Sequence, residues 1–344
     1  MANKINYIIF GASGDLSKRY LLPSLGGLDV NVVKISRNDY DKLGSIIDSG
    51  SDNIFHLAIP PKGVPKVLEL IYNNFGQVGL KIVLEKPFGS DLNSAKDLVF
   101  EAEKYFKEDQ IYRVDHYLAK KSVRNIAEEE WAKENIKSIK IIASEKIGIE
   151  GRIHFYEQTG ALRDFVQSHL LELAAITLAG SFEPELRYEA LKNLQVVCDI
   201  TKDECVKRGQ YEGYTEEVGS PSSKTETFVS INMISNHKVW HGVSITLATG
   251  KALNEKLTQI VIEYKNNQIK VFSIEHEPEA YKHVISSVIK GEKDLFISAP
   301  EILESWRILD AIQETWKNSN DDLIIYKKGS VISNIQGYKI PKLT

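Results

Sequence analysis

The run Tyr112–Lys120, read YRVDHYLAK, sets a carboxylate, an imidazole, a phenol and an ammonium close together as Asp115, His116, Tyr117 and Lys120. It begins as a strand, Ile111–Val114, and ends in those polar side chains. Open α/β sheets bind ligands outside the carboxyl ends of their strands, so a binding site is predicted there. Two further stretches carry groups that suit the same site. Gly11-Ala-Ser-Gly-Asp-Leu16 places glycines where a strand would turn into a helix. Glycine lets the backbone approach a phosphate, and a helix N-terminus offers N–H groups to it. By itself that signal is weak, since GxxGDL departs from GxGxxG. Arg163–His169 adds Asp164 and His169, a carboxylate and a titratable ring five residues apart. A regular helix does not stack that spacing neatly on one face.

The elements that must position these groups follow from the hydrophobic pattern. Asn6–Phe10, Asn31–Ile35, Asn53–Ile59, Leu80–Leu84 and Ile111–Asp115 read as strands, with helices over Val64–Tyr72 and Asn93–Phe106. This alternation predicts a parallel, doubly wound sheet. Ser36-Arg37 follows the second strand, where an acidic residue would hold an adenosine ribose. An arginine there accommodates a 2′-phosphate, so Arg37 points to NADP, although by position alone a solvated arginine fits equally well. Lys86 ends the fourth strand beside Pro87, and on its own it reads as a surface lysine.

After Lys120 the rhythm changes. Ser122–Asn135 is predicted helical, Ser138–Ser144 a strand ending at Glu145, and Gly160–Ala179 an amphipathic helix. Strand runs follow at Glu226–Ile234, Lys238–Ala248, Thr258–Tyr264 and Gln268–Ser273, then helices at Glu279–Ile289 and Pro300–Trp316. Runs of strands without alternating helices predict an antiparallel sheet. The expected fold class is α/β followed by α+β. An N-terminal Rossmann-type parallel sheet takes residues 1–118, and a C-terminal, mainly antiparallel sheet domain takes 119–344.

The bulk numbers agree with such a chain. Its 344 residues allow two domains on a prior of roughly 100–200 residues each. With 42% apolar residues, 26% charged residues and a net charge of −4, acid and base are mixed throughout. That argues against a nucleic-acid or membrane-surface binder. No apolar run is long enough to span a bilayer, and Met1–Phe10 goes straight into a strand, so no signal peptide is expected. Cys198 and Cys205 lack metal-ligand spacing, and no metal is expected. They read as small core residues in a reducing compartment, which predicts a cytoplasmic protein.

Three stretches taken together resemble one family. GASGDLSKR at Gly11–Arg19, EKPFG at Glu85–Gly89 and RVDHYLAK at Arg113–Lys120 are similar to signature segments of the glucose-6-phosphate 1-dehydrogenases. LAIPP at Leu57–Pro61, EGR at Glu150–Arg152, LRDFVQSHLLEL at Leu162–Leu173, GKALNEK at Gly250–Lys256 and SAPEILESWRI at Ser298–Ile308 follow in the family's order. The resemblance implies oxidation of C1 of glucose 6-phosphate to the lactone, with hydride passing to NADP. It implies His169 as general base with Asp164 as its partner, and His116, Tyr117 and Lys120 on the substrate phosphate. Lys86 would lie between sugar and nicotinamide, with Pro87 shaping the coenzyme position. Glu145, Lys251 and Lys256 would contact the substrate. Gly11, Ser13, Gly14, Asp15, Leu16 and Arg37 would hold NADP. A homodimer is expected as well.

The chemistry is consistent with those roles. Removing hydride from a hydroxylated carbon requires removing the hydroxyl proton, and a histidine with a pKa near ~6.5 accepts one at neutral pH. An aspartate nearby orients the ring and stabilises the imidazolium. A phosphate dianion needs several cationic or hydrogen-bonding groups. The chain departs from the family in being short and in carrying Tyr20 where a basic residue is usual. Two rivals follow: the same hydride transfer on another sugar or sugar phosphate in a specialised biosynthetic pathway, or a non-catalytic NADP-binding sensor. The joint retention of Lys86, Lys120, Asp164 and His169 argues against the sensor.

Overall fold

A computed structural model of the chain describes residues 5–47, 50–129, 131–196, 205–318 and 323–335. The first strands are β1 (Ile5–Phe10), β2 (Asn31–Ile35), β3 (Asp52–Leu57), β4 (Leu80–Glu85) and β5 (Ile111–Val114). They pair in parallel in the order β2-β1-β3-β4-β5. Strands buried on both faces read as continuous apolar runs, and Tyr7, Ile8, Ile9 and Phe10 of β1 are all fully buried. From β1 the chain goes to one side for β2 and to the other for β3. The strand order therefore reverses beside β1, the place where such sheets bind ligands. The helix Val64–Phe75 buries Val64, Val67, Leu68 and Ile71, the spacing of a single apolar face.

A second sheet is built from β6 (Ile136–Ser144), β7 (Leu194–Val196), β8 (Val206–Tyr211), β9 (Phe228–Ser235), β10 (Ser244–Gly250), β11 (Leu257–Tyr264) and β12 (Ile269–Ser273). The chain then returns to the first sheet, where β13 (Phe296–Ile297) runs antiparallel to β5. β14 (Leu323–Tyr326) goes back to the second sheet, whose order is β12-β11-β6-β10-β9-β8-β14, with β7 also on β9. Most of its pairs are antiparallel, as the strand runs predict. β6–β10 and β8–β14 are parallel.

The chain forms two compact units. The first runs up to Lys121 and also takes Phe182–Pro184 and His276–Leu303. The second holds Ser122–Ser181, Glu185–Glu275 and the chain from Glu304 on. This differs from the expected single division at residue 118, and the reason lies in the helix Ala280–Lys290. Its apolar face, with Tyr281, Val284, Ile285 and Val288, joins a core with Tyr7, Ile54, Val83, Tyr112 and Val114 of the parallel sheet. Lys81 Nζ donates to the carbonyls of Val288 at 2.7 Å and Ile289 at 2.8 Å, satisfying the end of that helix.

Four local expectations change. The strand run expected over Lys238–Ala248 begins as a 3₁₀ turn at Lys238–Trp240, and strand starts only at Ser244. The helix predicted over Ser122–Asn135 shortens to Lys121–Ala127, with a 3₁₀ turn at Lys133–Asn135. The one predicted over Gly160–Ala179 starts earlier, at Ile153, bends at Gly160, and runs as a π-helix over Leu162–Leu170 before continuing as Leu171–Ala179. Cys205 is buried but disulfide-bonded, so it is not the reduced core thiol expected, and Cys198 lies outside the described residues. The argument from thiols to a reducing compartment falls with that bond.

Candidate active site

In the first unit β1 ends at Phe10 and the chain turns at Gly11, where φ is 82°. A Cβ there would stand 2.2 Å from the Ala58 carbonyl oxygen, so only glycine fits. The Gly11 carbonyl accepts the Gly14 N–H at 3.0 Å and the Ser17 hydroxyl at 3.0 Å, closing the turn before the helix Ser17–Leu21. Ser13, Gly14 and Asp15 are exposed on this turn and Leu16 is half-buried. A turn of this kind leaves backbone bare at a helix start, which is what a phosphate approaches. Arg37 is exposed and opens the turn Arg37–Lys42 directly after β2. Asp39 is the nearby acid that would favour a ribose hydroxyl, but it folds back on Ser36. It accepts the Ser36 N–H at 2.8 Å and the Ser36 hydroxyl at 2.6 Å. Those bonds hold its carboxyl below the usual carboxylate range.

The ends of β4 and β5 carry the next groups. β4 runs into Glu85, then half-buried Lys86 and a cis peptide to Pro87. Asp115 is buried, and its Oδ1 accepts the Tyr117 N–H at 2.9 Å, folding the chain after β5 into tight turns. Lys120 Nζ lies 3.6 Å from the centroid of the Tyr117 ring, and the His116 and Tyr117 rings meet edge-on at 5.1 Å. The cation is almost wholly buried against an aromatic face. His116, Tyr117 and Lys120 thus form one group.

Sequence reasoning missed what lies behind this group. Glu85 Oε1 accepts from His56 Nε2 at 2.8 Å, and its Oε2 accepts the Tyr281 hydroxyl at 3.1 Å. The other His56 nitrogen, Nδ1, bonds the Tyr7 hydroxyl at 2.7 Å. With the proton on Nε2, His56 donates to Glu85 and accepts from Tyr7, so every group is satisfied with the ring uncharged. Burial, then the Glu85 carboxylate, push the Tyr281 phenol well above its ordinary range, which keeps it a donor. The Tyr281 ring stacks with His116 at 6.2 Å and with Tyr20 at 5.7 Å. Tyr20, standing where a cation was expected, is therefore part of an aromatic stack beside the phosphate-type group. A histidine inside the apolar strand run NIFHLAI was the available signal, because a buried ring must find partners for both nitrogens.

In the second unit, β6 and β10 pair in parallel with Ser144 opposite Gly250. Their carboxyl ends therefore coincide, and the residues that follow, Glu145 and Lys251, form a short ion pair. The Lys251 side chain is 4% exposed and sits 5.2 Å from the Tyr156 ring. Glu145, Tyr156, Asp164, Phe165 and Lys251 line one small cavity. The Tyr156 hydroxyl is buried there without a hydrogen-bond partner. Burial, then the charge of Asp164, push its phenol well above the ordinary range.

His169 lies on the π-helix, 3% exposed, with Phe165 edge-on at 5.1 Å. In that helix the Leu171 N–H bonds the Val166 carbonyl, five residues back. Residues five apart then stand about one turn apart, which answers the spacing of Asp164 and His169. The expected bond between them is nonetheless absent. The Asp164 carboxylate makes no hydrogen bond or ion pair to the ring and faces the Glu145–Lys251 cavity instead. Lys256 is exposed, and no bond joins it to that pair.

Two family models match the chain, and both describe the same family. The chain matches the model for the glucose-6-phosphate dehydrogenase C-terminal domain over residues 119–277 and 273–336. Residues 27–125 match the NAD binding domain of the same family. Glucose-6-phosphate 1-dehydrogenase of Bacillus subtilis (strain 168) is 29% identical over 462 residues, covering 94% of this chain and 94% of the relative. Glucose-6-phosphate 1-dehydrogenase 6, cytoplasmic, of Arabidopsis thaliana is 31% identical over 350 residues, covering 82% of this chain and 68% of the relative. The crystal structure of glucose-6-phosphate 1-dehydrogenase from Mycobacterium avium has the same fold. Its TM-score is 0.82 at 22% identity, with 99% of each chain covered.

The Glu145–Lys251 pair makes a stability prediction. Glu145→Ala strands a nearly buried ammonium and should lower unfolding free energy by about 3–5 kcal/mol. Adding Lys251→Met should restore most of that loss, since an apolar side chain of similar length leaves no buried charge. Urea denaturation of the single and double variants measures both, and a double variant as unstable as Glu145→Ala would contradict it.

Proposed function

The chain belongs to the glucose-6-phosphate dehydrogenase family, and from that premise we propose that it oxidises C1 of glucose 6-phosphate to 6-phosphogluconolactone with NADP. The observation that carries the reading is the group His116, Tyr117 and Lys120, a ring nitrogen, a hydroxyl and a buried ammonium held together at the end of β5. These are the donors a phosphate dianion requires. Bound NADP supplies the acceptor for the hydride that leaves C1.

The chain's own residues supply position and proton transfer. Gly11 keeps the backbone open to a phosphate, and Gly14, Ser13, Asp15 and Leu16 complete that turn. Arg37 meets the 2′-phosphate, helped by Asp39 being engaged with Ser36. Lys86 and Pro87 stand where β4 delivers them, close in sequence to the anchored Glu85. An imidazole nitrogen of His169 takes the C1 hydroxyl proton as the C–H electron pair departs, leaving the carbonyl of the lactone. Asp164 acts with Glu145 and Lys251 on the sugar hydroxyls, because the cavity they share supports that role better than a bond to His169. Lys256, exposed and without a bond, serves at the rim. A cytoplasmic location rests on the name of the Arabidopsis relative. A homodimer belongs to the same proposal; the 61% exposed Ile325 on edge strand β14 offers an apolar margin for it.

The test is absorbance at NADPH wavelengths with glucose 6-phosphate, glucose and other aldose phosphates. Glucose 6-phosphate should be turned over far better than glucose. Equal turnover of both would remove the phosphate assignment, and preference for another sugar phosphate would reassign the substrate while keeping the chemistry.

Two variants probe the roles. Arg37→Ala should weaken NADP by roughly ten- to a hundred-fold, the loss of one charge-assisted hydrogen bond, and affect NAD much less. Equal use of both coenzymes by the wild type would contradict that. His169→Asn should lower kcat by about 10²-fold or more while both substrates still bind. In the wild type kcat/KM should rise with pH through the range where a histidine loses its proton, because only the neutral ring can accept one. A kcat loss of less than about ten-fold would leave His169 a structural residue.

A further inference from the structure

The helix that carries Asp164 and His169 does not start freely. At Gly160 the backbone takes φ 64° and ψ 178°, a conformation essentially reserved for glycine, and the helix is broken there. A Cβ at that position would lie 2.3 Å from Glu226 Oε1 and 2.6 Å from its carboxyl carbon. The Glu226 carboxyl therefore fills the space that a side chain at 160 would need. Its main-chain carbonyl accepts the Ala161 N–H at 2.9 Å, and its Oε1 accepts the Leu162 N–H at 2.9 Å. One residue thus satisfies two consecutive donors at the point where the helix restarts, groups that otherwise have no helical partner. Leu162 is the first residue of the π segment.

We propose that Glu226 is a positioning residue, which fixes the entry of the Leu162–Leu170 π-helix and through it the placement of His169. This rests on the function proposed above. Glu226 is well placed to do so because it is tied to the sheet. It stands two residues before β9, and next to it the Thr227 carbonyl accepts the Lys251 N–H at 2.9 Å while the Thr227 hydroxyl bonds Tyr326 at 2.8 Å. The sheet's position is thereby transmitted to the first turn of the helix by two hydrogen bonds, of which the one from the side chain to the Leu162 N–H has its reach set by side-chain length. The distance from carboxyl to amide, rather than the charge, is what holds the register. Burial pushes the Glu226 carboxyl upward, and the hydrogen bond from the Leu162 N–H is the first of the contacts that oppose the shift.

Two conservative variants separate position from charge. Glu226→Gln keeps the side-chain length and a carbonyl acceptor for the Leu162 N–H. Glu226→Asp keeps the charge but is one methylene short. A catalytic group misplaced by that order of distance loses rate by up to about 10²-fold. Glu226→Asp should therefore lower kcat for glucose 6-phosphate by about tenfold or more, with KM little changed, while Glu226→Gln stays within about tenfold of wild type. Amide hydrogen exchange over 162–170 should quicken in Glu226→Asp relative to Glu226→Gln, with β9 unchanged. Retained kcat in the aspartate variant, or lost kcat in the glutamine variant, would overturn the proposal. Wild type assayed alongside keeps the two readings apart. Should it turn over no glucose 6-phosphate, the functional reading fails, and the exchange comparison alone decides for or against Glu226.

Discussion

Two strands that pair in parallel end on the same side, so the residues that follow them must meet. That constraint places two sets of the polar groups described above. In the first unit it brings the turn at Gly11, the Lys86–Pro87 peptide and the Asp115–Lys120 run to the carboxyl edge of one sheet. In the second unit one of the two parallel pairs, β6 with β10, in a largely antiparallel sheet brings Glu145 against Lys251. An antiparallel pairing in the same place would have sent those two residues to opposite ends.

Charge is managed differently at the two edges. Glu85 is held by two side-chain hydrogen bonds, from His56 and Tyr281, and Tyr7 closes the far side of His56. Glu145 and Lys251 instead neutralise each other, with the Tyr156 ring beneath the ammonium. A phenol such as Tyr281 fixes a carboxylate's geometry without cancelling its charge, whereas a lysine ion pair removes the net charge from the site. The Tyr20–Tyr281–His116 contacts extend the first arrangement. An aromatic stack is easier to desolvate than a cation, so Tyr20 packs against Tyr281 without a charge that would need a partner.

Much of this was legible in the sequence, and what was not has physical causes. The five parallel strands were read nearly to the residue because β1, β3, β4 and β5 are buried on both faces and mostly apolar, while the exposed β2 carries the β-branched run Val32-Val33. The return of His276–Leu303 to the first unit was not, since an amphipathic helix shows which face it buries but not against what. The placement of Glu145 beside Lys251 depends on pairing between strands a hundred residues apart, which no local pattern encodes. The five-residue spacing of Asp164 and His169 was visible as an anomaly. Its solution, a π-helix, depends on Gly160 and on Glu226 reaching back from β9, again a long-range contact.

The relation to the Bacillus relative shows that length can be lost within the chain. The alignment runs over 462 residues, more than this chain's 344, and covers 94% of both chains, so the relative carries internal segments that this chain lacks. Between β2 and β3 the described residues hold only a 3₁₀ turn and the short helix Leu43–Ile46. Connections of this kind lie away from the strand pairing, and the entropy of closing a loop changes only slowly with its length. Shortening them leaves the parallel register intact, and the register is what delivers Gly11, Lys86 and Asp115 to one edge. A chain can therefore shed connecting segments and keep its site geometry, provided each strand still ends where its neighbour does.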